Sequence, residues 1–234
     1  MSLLKIVKSV MDSNGWPTVT SSVSASQDQN MRQCMALANK ALENTSYSKN
    51  WVCLTREHTF DTVDGQSEYP LPIDFHHLVA PSAVDATSYY ELKGAQTPIQ
   101  WYRNLLNGNG QWYTGFRIDP FLKMFRITPT PTSIRTLMFM YVTKYIAMDS
   151  DGVPITQYTQ DGDESVVDEG LVELDLTWRW RQKKGLDFTA EMAEYNGNVT
   201  QAYAQELAYG EVPIGGRGYG SILTQPTVPP VFGV

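Results

Sequence analysis

Apolar positions change period twice along the chain, from helical to alternating and back. Leu3, Leu4, Val7, Val10 and Met11 fall at i, i+1, i+4, i+7 and i+8, one face of a short helix stopped by Asn14-Gly15 and Pro17. A second helix is read from Ser26, whose hydroxyl can cap the backbone while Gln29 reaches back, the S-x-x-Q form of a capping box. Met31, Cys34, Met35, Ala38, Ala41 and Leu42 form its stripe, which reads as core or subunit contact rather than a cofactor site.

From Trp51 to about Met148 the chain becomes short segments rich in Thr, Tyr, Phe and Val, punctuated by Gly, Pro and Asn. That spacing predicts a small antiparallel sheet or sandwich. Phe116 and Ile118 alternate with Arg117 and Asp119, and Phe125 and Ile127 with Arg126 and Thr128, so two strands meet across Asp119-Pro120 with one apolar face. Thr136 to Tyr145 is apolar on both faces and reads as a central strand or one covered by a helix. Earlier, Asp64-Gly65 predicts a type I′ hairpin turn. Pro70 and Pro72 remove two backbone donors, so the strand after the turn must run at a sheet edge or leave the sheet before Phe75.

After a loop from Asp149 to Gly162 the helical period returns. Leu171, Leu174 and Trp178, with Val172 and Leu176 on a neighbouring row, predict a helix from roughly Ser165 to Lys184, ended by Gly185 in a left-handed conformation. Met192, Tyr195, Val199, Tyr203 and Leu207 predict a final helix from about Phe188 to Ala208. The fold class is therefore α+β: a four-helix bundle from the N- and C-terminal helix pairs (residues 1–50 plus 149–208), an inserted antiparallel β-sandwich or β-barrel-like domain (51–148), and an extended C-terminal arm (209–234). The arm is rich in Gly and then Pro, with only Glu211 and Arg217 charged. It cannot form a core alone, so Ile222, Leu223, Val228, Val231 and Phe232 read as contacts to a partner.

Charge narrows the function. A chain of 234 residues with net charge −7 does not grip nucleic acid by neutralising phosphates, although an acidic wall can keep passing DNA from sticking. Nine acids and no Lys or Arg lie between Lys144 and Arg179. Asp161, Asp163 and Glu164 are the candidates from this run for a solvent-filled channel, and acids at a helix N-terminus are the structural alternative. The run lacks the Glu at the twelfth position of an EF-hand.

No metal or cofactor is expected, and no catalytic residue. Cys34 and Cys53 read as reduced, buried thiols on a helix and a strand, and His76-His77 as a strand pair whose side chains point to opposite faces. The sequence shows no G-x-S-x-G elbow, P-loop or H-E-x-x-H, and Gly215 to Gly220 lacks the strand and helix a phosphate loop needs. Lys5 and Lys8 interrupt the first apolar helix, and no apolar run approaches the roughly 20 residues that span a bilayer, so neither a signal peptide nor a membrane partner is expected.

Gly65, Gln66, Tyr69, Leu71, Pro72, Asp74 and Phe75 match the wording "G-Q-x-x-Y-x-L-P-x-D-F", and Phe125 to Pro131 a second phrase, that recur among head-to-tail adaptor proteins of tailed bacteriophages. The order of elements across residues 1–208 is similar to the same family. The resemblance implies a structural virion protein, made in the host bacterial cytoplasm, that forms a homo-oligomeric ring of about twelve subunits at the head-tail junction. Its implied partners are the portal protein, a downstream tail or nozzle protein, and DNA passing without sequence-specific binding. Two rivals are weighed from the residues. A two-carboxylate glycan hydrolase lacks aromatic sugar platforms beside its acids. A carbohydrate- or receptor-binding tail module would use Trp101, Tyr102, Trp112 and Tyr113 around Asn107 to Gly110, and requires those rings to be exposed.

Overall fold

The computed structural model describes residues 2–15, 22–106 and 114–210. Helix α1 (Leu3–Ser13) is followed by α2 (Gln29–Tyr47), then a β region in which β1 (Thr55–Asp61), β2 (Glu68–Pro70), β3 (Phe75–Leu78), β4 (Val84–Asp85) and β5 (Tyr90–Glu91) precede a helix, α3 (Pro98–Leu106). Strands β6 (Gly115–Asp119), β7 (Met124–Thr128) and β8 (Thr136–Thr143) follow, then three two-residue strands, β9 (Ala147–Met148), β10 (Pro154–Ile155) and β11 (Glu164–Ser165). Helices α4 (Glu169–Lys183) and α5 (Thr189–Gly210) close the described chain. The fold is mixed helix and sheet, and the sheet pairings are antiparallel, apart from one isolated parallel bridge between Lys93 and Gly115.

Two apolar cores organise these elements. One gathers Leu3, Val7 and Val10 of α1, Cys34, Ala38 and Leu42 of α2, Leu171, Leu176 and Trp180 of α4, and Tyr195 and Val199 of α5. Helix α4 touches each of the other three. It ends as its sequence requires: Gly185 has φ 73°, its N–H donates to Gln182 O and that of Leu186 to Arg181 O, a Schellman motif. Inside this core Asp175 is fully buried. Its Oδ2 accepts from Arg179 Nε at 3.0 Å and Asn44 Nδ2 at 3.3 Å, and Asn44 also donates to Tyr195 Oη at 3.0 Å. The pair and its neighbours tie α2, α4 and α5 together, and burial pushes the Asp175 carboxyl up against the opposing pull of Arg179.

The second core is aromatic. Sheet β1-β8-β4-β5, with β3 also on β8, faces the sheet β2-β7-β6. Phe125 of β7 stacks on Phe139 of β8 with ring centroids 5.1 Å apart and on Phe116 of β6 at 4.9 Å, while Phe60 of β1 packs on Tyr69 of β2 at 4.8 Å. Each such pair contributes about 0.5–1.5 kcal/mol beyond its buried area. Both sheets are open, so the β region is not a barrel among the described residues. Strand β8 belongs to both cores: Leu137, Phe139 and Tyr141 enter the aromatic one, Val142 the helical one.

Several expectations hold and several do not. Strand β8 is central, Phe116 pairs with Ile127 and Ile118 with Phe125, and β2 lies at a sheet edge with Pro70 as its last residue. The cap of α2 is Asp28 rather than Ser26, because the Asp28 carboxylate accepts from Asn30 N while the Ser26 hydroxyl is used by Asp28 N. The Asp64-Gly65 turn joins no hairpin. Only Gly65 has positive φ, 77°, and β1 and β2 belong to different sheets, so the turn hands the chain from one sheet to the other. The far face of β8 is not fully covered, since Met140 is exposed. Helix α3 was not expected within a strand-rich region, and β10 lies in the stretch read as a loop. Cys34 is buried but Cys53 is exposed, in a 3-10 turn. The arm residues Ile222, Leu223, Val228, Val231 and Phe232 and the ring pair Trp112 and Tyr113 lie outside the described residues.

Candidate functional site

The Gly65 to Phe75 segment reaches β8 through side chains that are consumed within the subunit. Gly65 adopts the left-handed conformation that lets the chain reverse, and its N–H donates to Pro131 O at 2.9 Å. Tyr69, buried in the aromatic core, holds the turn from inside: its hydroxyl donates to Gln66 O at 2.8 Å and accepts from Val63 N at 3.0 Å. The Gln66 amide donates to Glu68 O at 2.7 Å. Leu71 packs on the same core while its N–H donates to Lys123 O, and Pro72 O accepts from Phe75 N.

Asp74 then fastens the segment to the strand that crosses both cores. Its Oδ1 accepts from Tyr141 Oη at 2.9 Å and its Oδ2 from Thr143 Oγ1 at 2.8 Å, while its carbonyl accepts from Lys144 N at 2.7 Å. Phe75 stacks on the Tyr141 ring at 5.7 Å. Burial, then the hydrogen bond and charge of Asp74, push the Tyr141 phenol up to about 12. Asp74 and Phe75 thus position β8, Gly65, Gln66 and Tyr69 build the turn that precedes them, and Ile73 is left almost fully solvent-facing.

The acidic loop works for a different part of the fold. Asp163 is fully buried, which corrects its reading as a channel-facing acid. Its Oδ2 accepts from the backbone N–H groups of Thr159 and Gln160 and from Thr159 Oγ1, a carboxylate folded back on its own loop. Asp161 is half-buried. Its Oδ1 accepts from Val23 N at 3.0 Å and Ser24 N at 2.8 Å, and its carbonyl and that of Asp163 accept the first free amides of α1, from Leu4 and Leu3. Burial raises the Asp161 carboxyl, but hydrogen bonds from Ser22, Ser24 and Val23 outweigh it and hold the group below the usual range. Glu164 is the exposed member of the three, on β11. At α4, Asp168 Oδ1 accepts from Gly170 N at 2.7 Å, so this acid is an N-cap.

The structure therefore sets the end of the motif, Asp74 and Phe75, against β8 and brings Asp161 and Asp163 to the start of α1. No group of three or more metal-ligating side chains occurs among the described residues, and no helix of the described chain is long and apolar enough to cross a membrane.

Exposed apolar side chains mark further surfaces. Phe121 and Leu122 stand at the β6-β7 turn, and Ile99, Tyr102 and Leu106 fall at i, i+3 and i+7 on α3, all exposed. Trp101, on the opposite side of α3, is buried. The signal for α3 was present: Thr97 Oγ1 accepts from Gln100 N and Gln100 Oε1 from Thr97 N at 2.9 Å, a T-x-x-Q capping box with Pro98 at the first helical position.

Compared with known proteins, the chain matches the family model described as SU10 adaptor protein over residues 2–219. It belongs to that family, a family of phage head-tail adaptors. No curated protein matches the chain.

Proposed function

We propose that this member of the SU10 adaptor family assembles into a closed ring of about twelve subunits beneath the portal, seats the next tail or nozzle protein, and continues the path by which DNA leaves the head. The observation that carries the reading is the family match across residues 2–219, which takes in both cores. In this reading the protein is a non-enzymatic virion component made in the host cytoplasm, and DNA passes without base-specific contact. The four long helices act as one bundle formed by residues 1–50 and 149–208, with 51–148 as the inserted β domain. The shared core of α1, α2, α4 and α5 supports that division.

Glu164 and Asp151 are exposed acids of the run that a channel wall would use, whereas Asp163 and Asp175 are buried. The apolar residues of 209–234 serve as an arm against a neighbouring subunit or the portal. Of the four rings that a carbohydrate- or receptor-binding module would use, Trp101 is buried and Tyr102 is exposed, while Trp112 and Tyr113 lie outside the described residues.

The test is electron microscopy of the purified chain, alone and with its cognate portal. Class averages showing closed rings stacked on the portal are expected, and a chain that stays monomeric and never joins the portal would refute the proposal. Truncation after residue 210 should leave a folded subunit that fails to hold the junction.

A further inference from the structure

Adjacent histidines on a regular strand point to opposite faces, yet His76 and His77 do not. A register shift between Phe75 and His77 in the β3-β8 pairing rotates the two side chains toward each other, and their Nδ1 atoms lie 2.7 Å apart. The other ring nitrogen of His77, Nε2, is 3.0 Å from Asn50 Oδ1. The His76 ring lies flat on Tyr47, the last residue of α2, with centroids 3.7 Å apart and planes 1° from parallel. Tyr47 packs against the helical core. The pair therefore spans the gap between β3 and the end of α2.

Hydrogen-bond chemistry fixes the protons. An amide oxygen only accepts, so His77 Nε2 carries hydrogen and, in the neutral ring, His77 Nδ1 is a bare acceptor. His76 Nδ1 must then be the donor, which leaves His76 Nε2 bare. A first proton enters at His76 Nε2, keeps both bonds, and places a cation on the face of Tyr47. A second proton has only His77 Nδ1 to occupy, where it would set two N–H donors 2.7 Å apart.

We propose that His76 and His77 form a proton-gated clasp that holds β3 to the end of α2 while the pair carries at most one extra proton, and releases it on the second. The charged and titratable groups that line the groove beside His76 are Glu43, Lys40 and Tyr47 on α2 and Lys144 just beyond β8. Glu43 is itself engaged by Lys40 at 2.7 Å. Burial lowers both histidines; the charge of Glu43 partly restores His76, and the charge of His76 lowers His77 further. A histidine held below its ordinary value contributes stability that is present above about pH 6.5 and lost as pH falls through that value. The clasp is a property of the single subunit and stands apart from ring assembly.

Two measurements on the full chain test it. Long-range proton–nitrogen NMR at pH 8 should show His76 as the Nδ1–H tautomer and His77 as the Nε2–H tautomer; two Nε2–H rings would overturn the clasp. Hydrogen exchange of the Val79 amide, which donates to Met140 O at 3.0 Å at the end of β3, should lose about tenfold of its protection between pH 7.5 and 5.5 after correction for intrinsic exchange. In His76→Phe, which keeps the stack on Tyr47 and frees His77 to take a proton, that pH dependence should vanish. The same slope in the variant would assign it to His58 on β1 and overturn the proposal, as would a flat wild-type profile.

Discussion

Replacing Asp74 by alanine should loosen the strand that joins the two cores. The carboxylate accepts from Tyr141 Oη and Thr143 Oγ1, and both donor residues are buried, so truncation strands two hydroxyls away from water. Hydrogen bonds to a charged acceptor contribute about 1.5–3 kcal/mol each. Because the two share one carboxylate their losses do not add, and we expect a cost of about 3 kcal/mol for Asp74→Ala and about 1 kcal/mol for Asp74→Asn, which keeps one acceptor. In urea, with a slope of about 3 kcal/mol/M for a chain of this size, the alanine midpoint should fall by about 1 M. A double-mutant cycle with Tyr141→Phe should return a coupling of about 1–2 kcal/mol.

The same contact has a spectroscopic signature. Tyr141 ionises at about 12 in the folded protein, against about 10 unfolded. Its folded value is raised, so the stability it confers is fully present below pH 10 and is lost as pH rises toward 12. Absorbance titration of the phenolates should show one high-titrating tyrosine moving down in Asp74→Ala, while Tyr158, which burial pushes up further, stays in place. An unchanged urea midpoint together with an unchanged alkaline titration would refute the reasoning that the motif aspartate holds β8.

Asp163→Ala should cost about 2–4 kcal/mol, because the Thr159 and Gln160 amides lose their acceptor; thermal unfolding checks it, and a neutral result would return Asp163 to the solvent-facing acids. Thiol labelling of the native chain at pH 8 should modify Cys53 alone, since burial pushes Cys34 up to about 12 whereas Cys53 is exposed; mass spectrometry after digestion reads the site. Gly94→Ala should destabilise by about 1–3 kcal/mol, because a Cβ there would lie 2.5 Å from the backbone oxygen of Phe116 and 2.7 Å from its ring, and β6 must move to admit it; chemical denaturation measures the change.

How much of this protein its sequence determines depends on the range of the interaction. Local patterns carried through: the stripe of α1, the alternation of β6 and β7, the left-handed Gly185 behind α4, and the prolines that keep β2 at an edge are each fixed by neighbours a few residues away. The wording of Gly65 to Phe75 was legible as a motif and pointed to the right family. What it does was not, because Asp74 meets Tyr141 and Thr143 across 67 and 69 residues. The Asp64-Gly65 turn was read as a hairpin for the same reason: turn chemistry sets a reversal of the chain but not which sheet receives the next strand. Charge counting failed where tertiary packing took the charge out of solvent. Asp163 and Asp175 look like members of a solvated acidic run, and only folding buries one among its own loop amides and the other against Asn44 of α2. The two histidines make the point at the shortest range, since alternation along a strand separates them and one register shift against β8 puts them in contact.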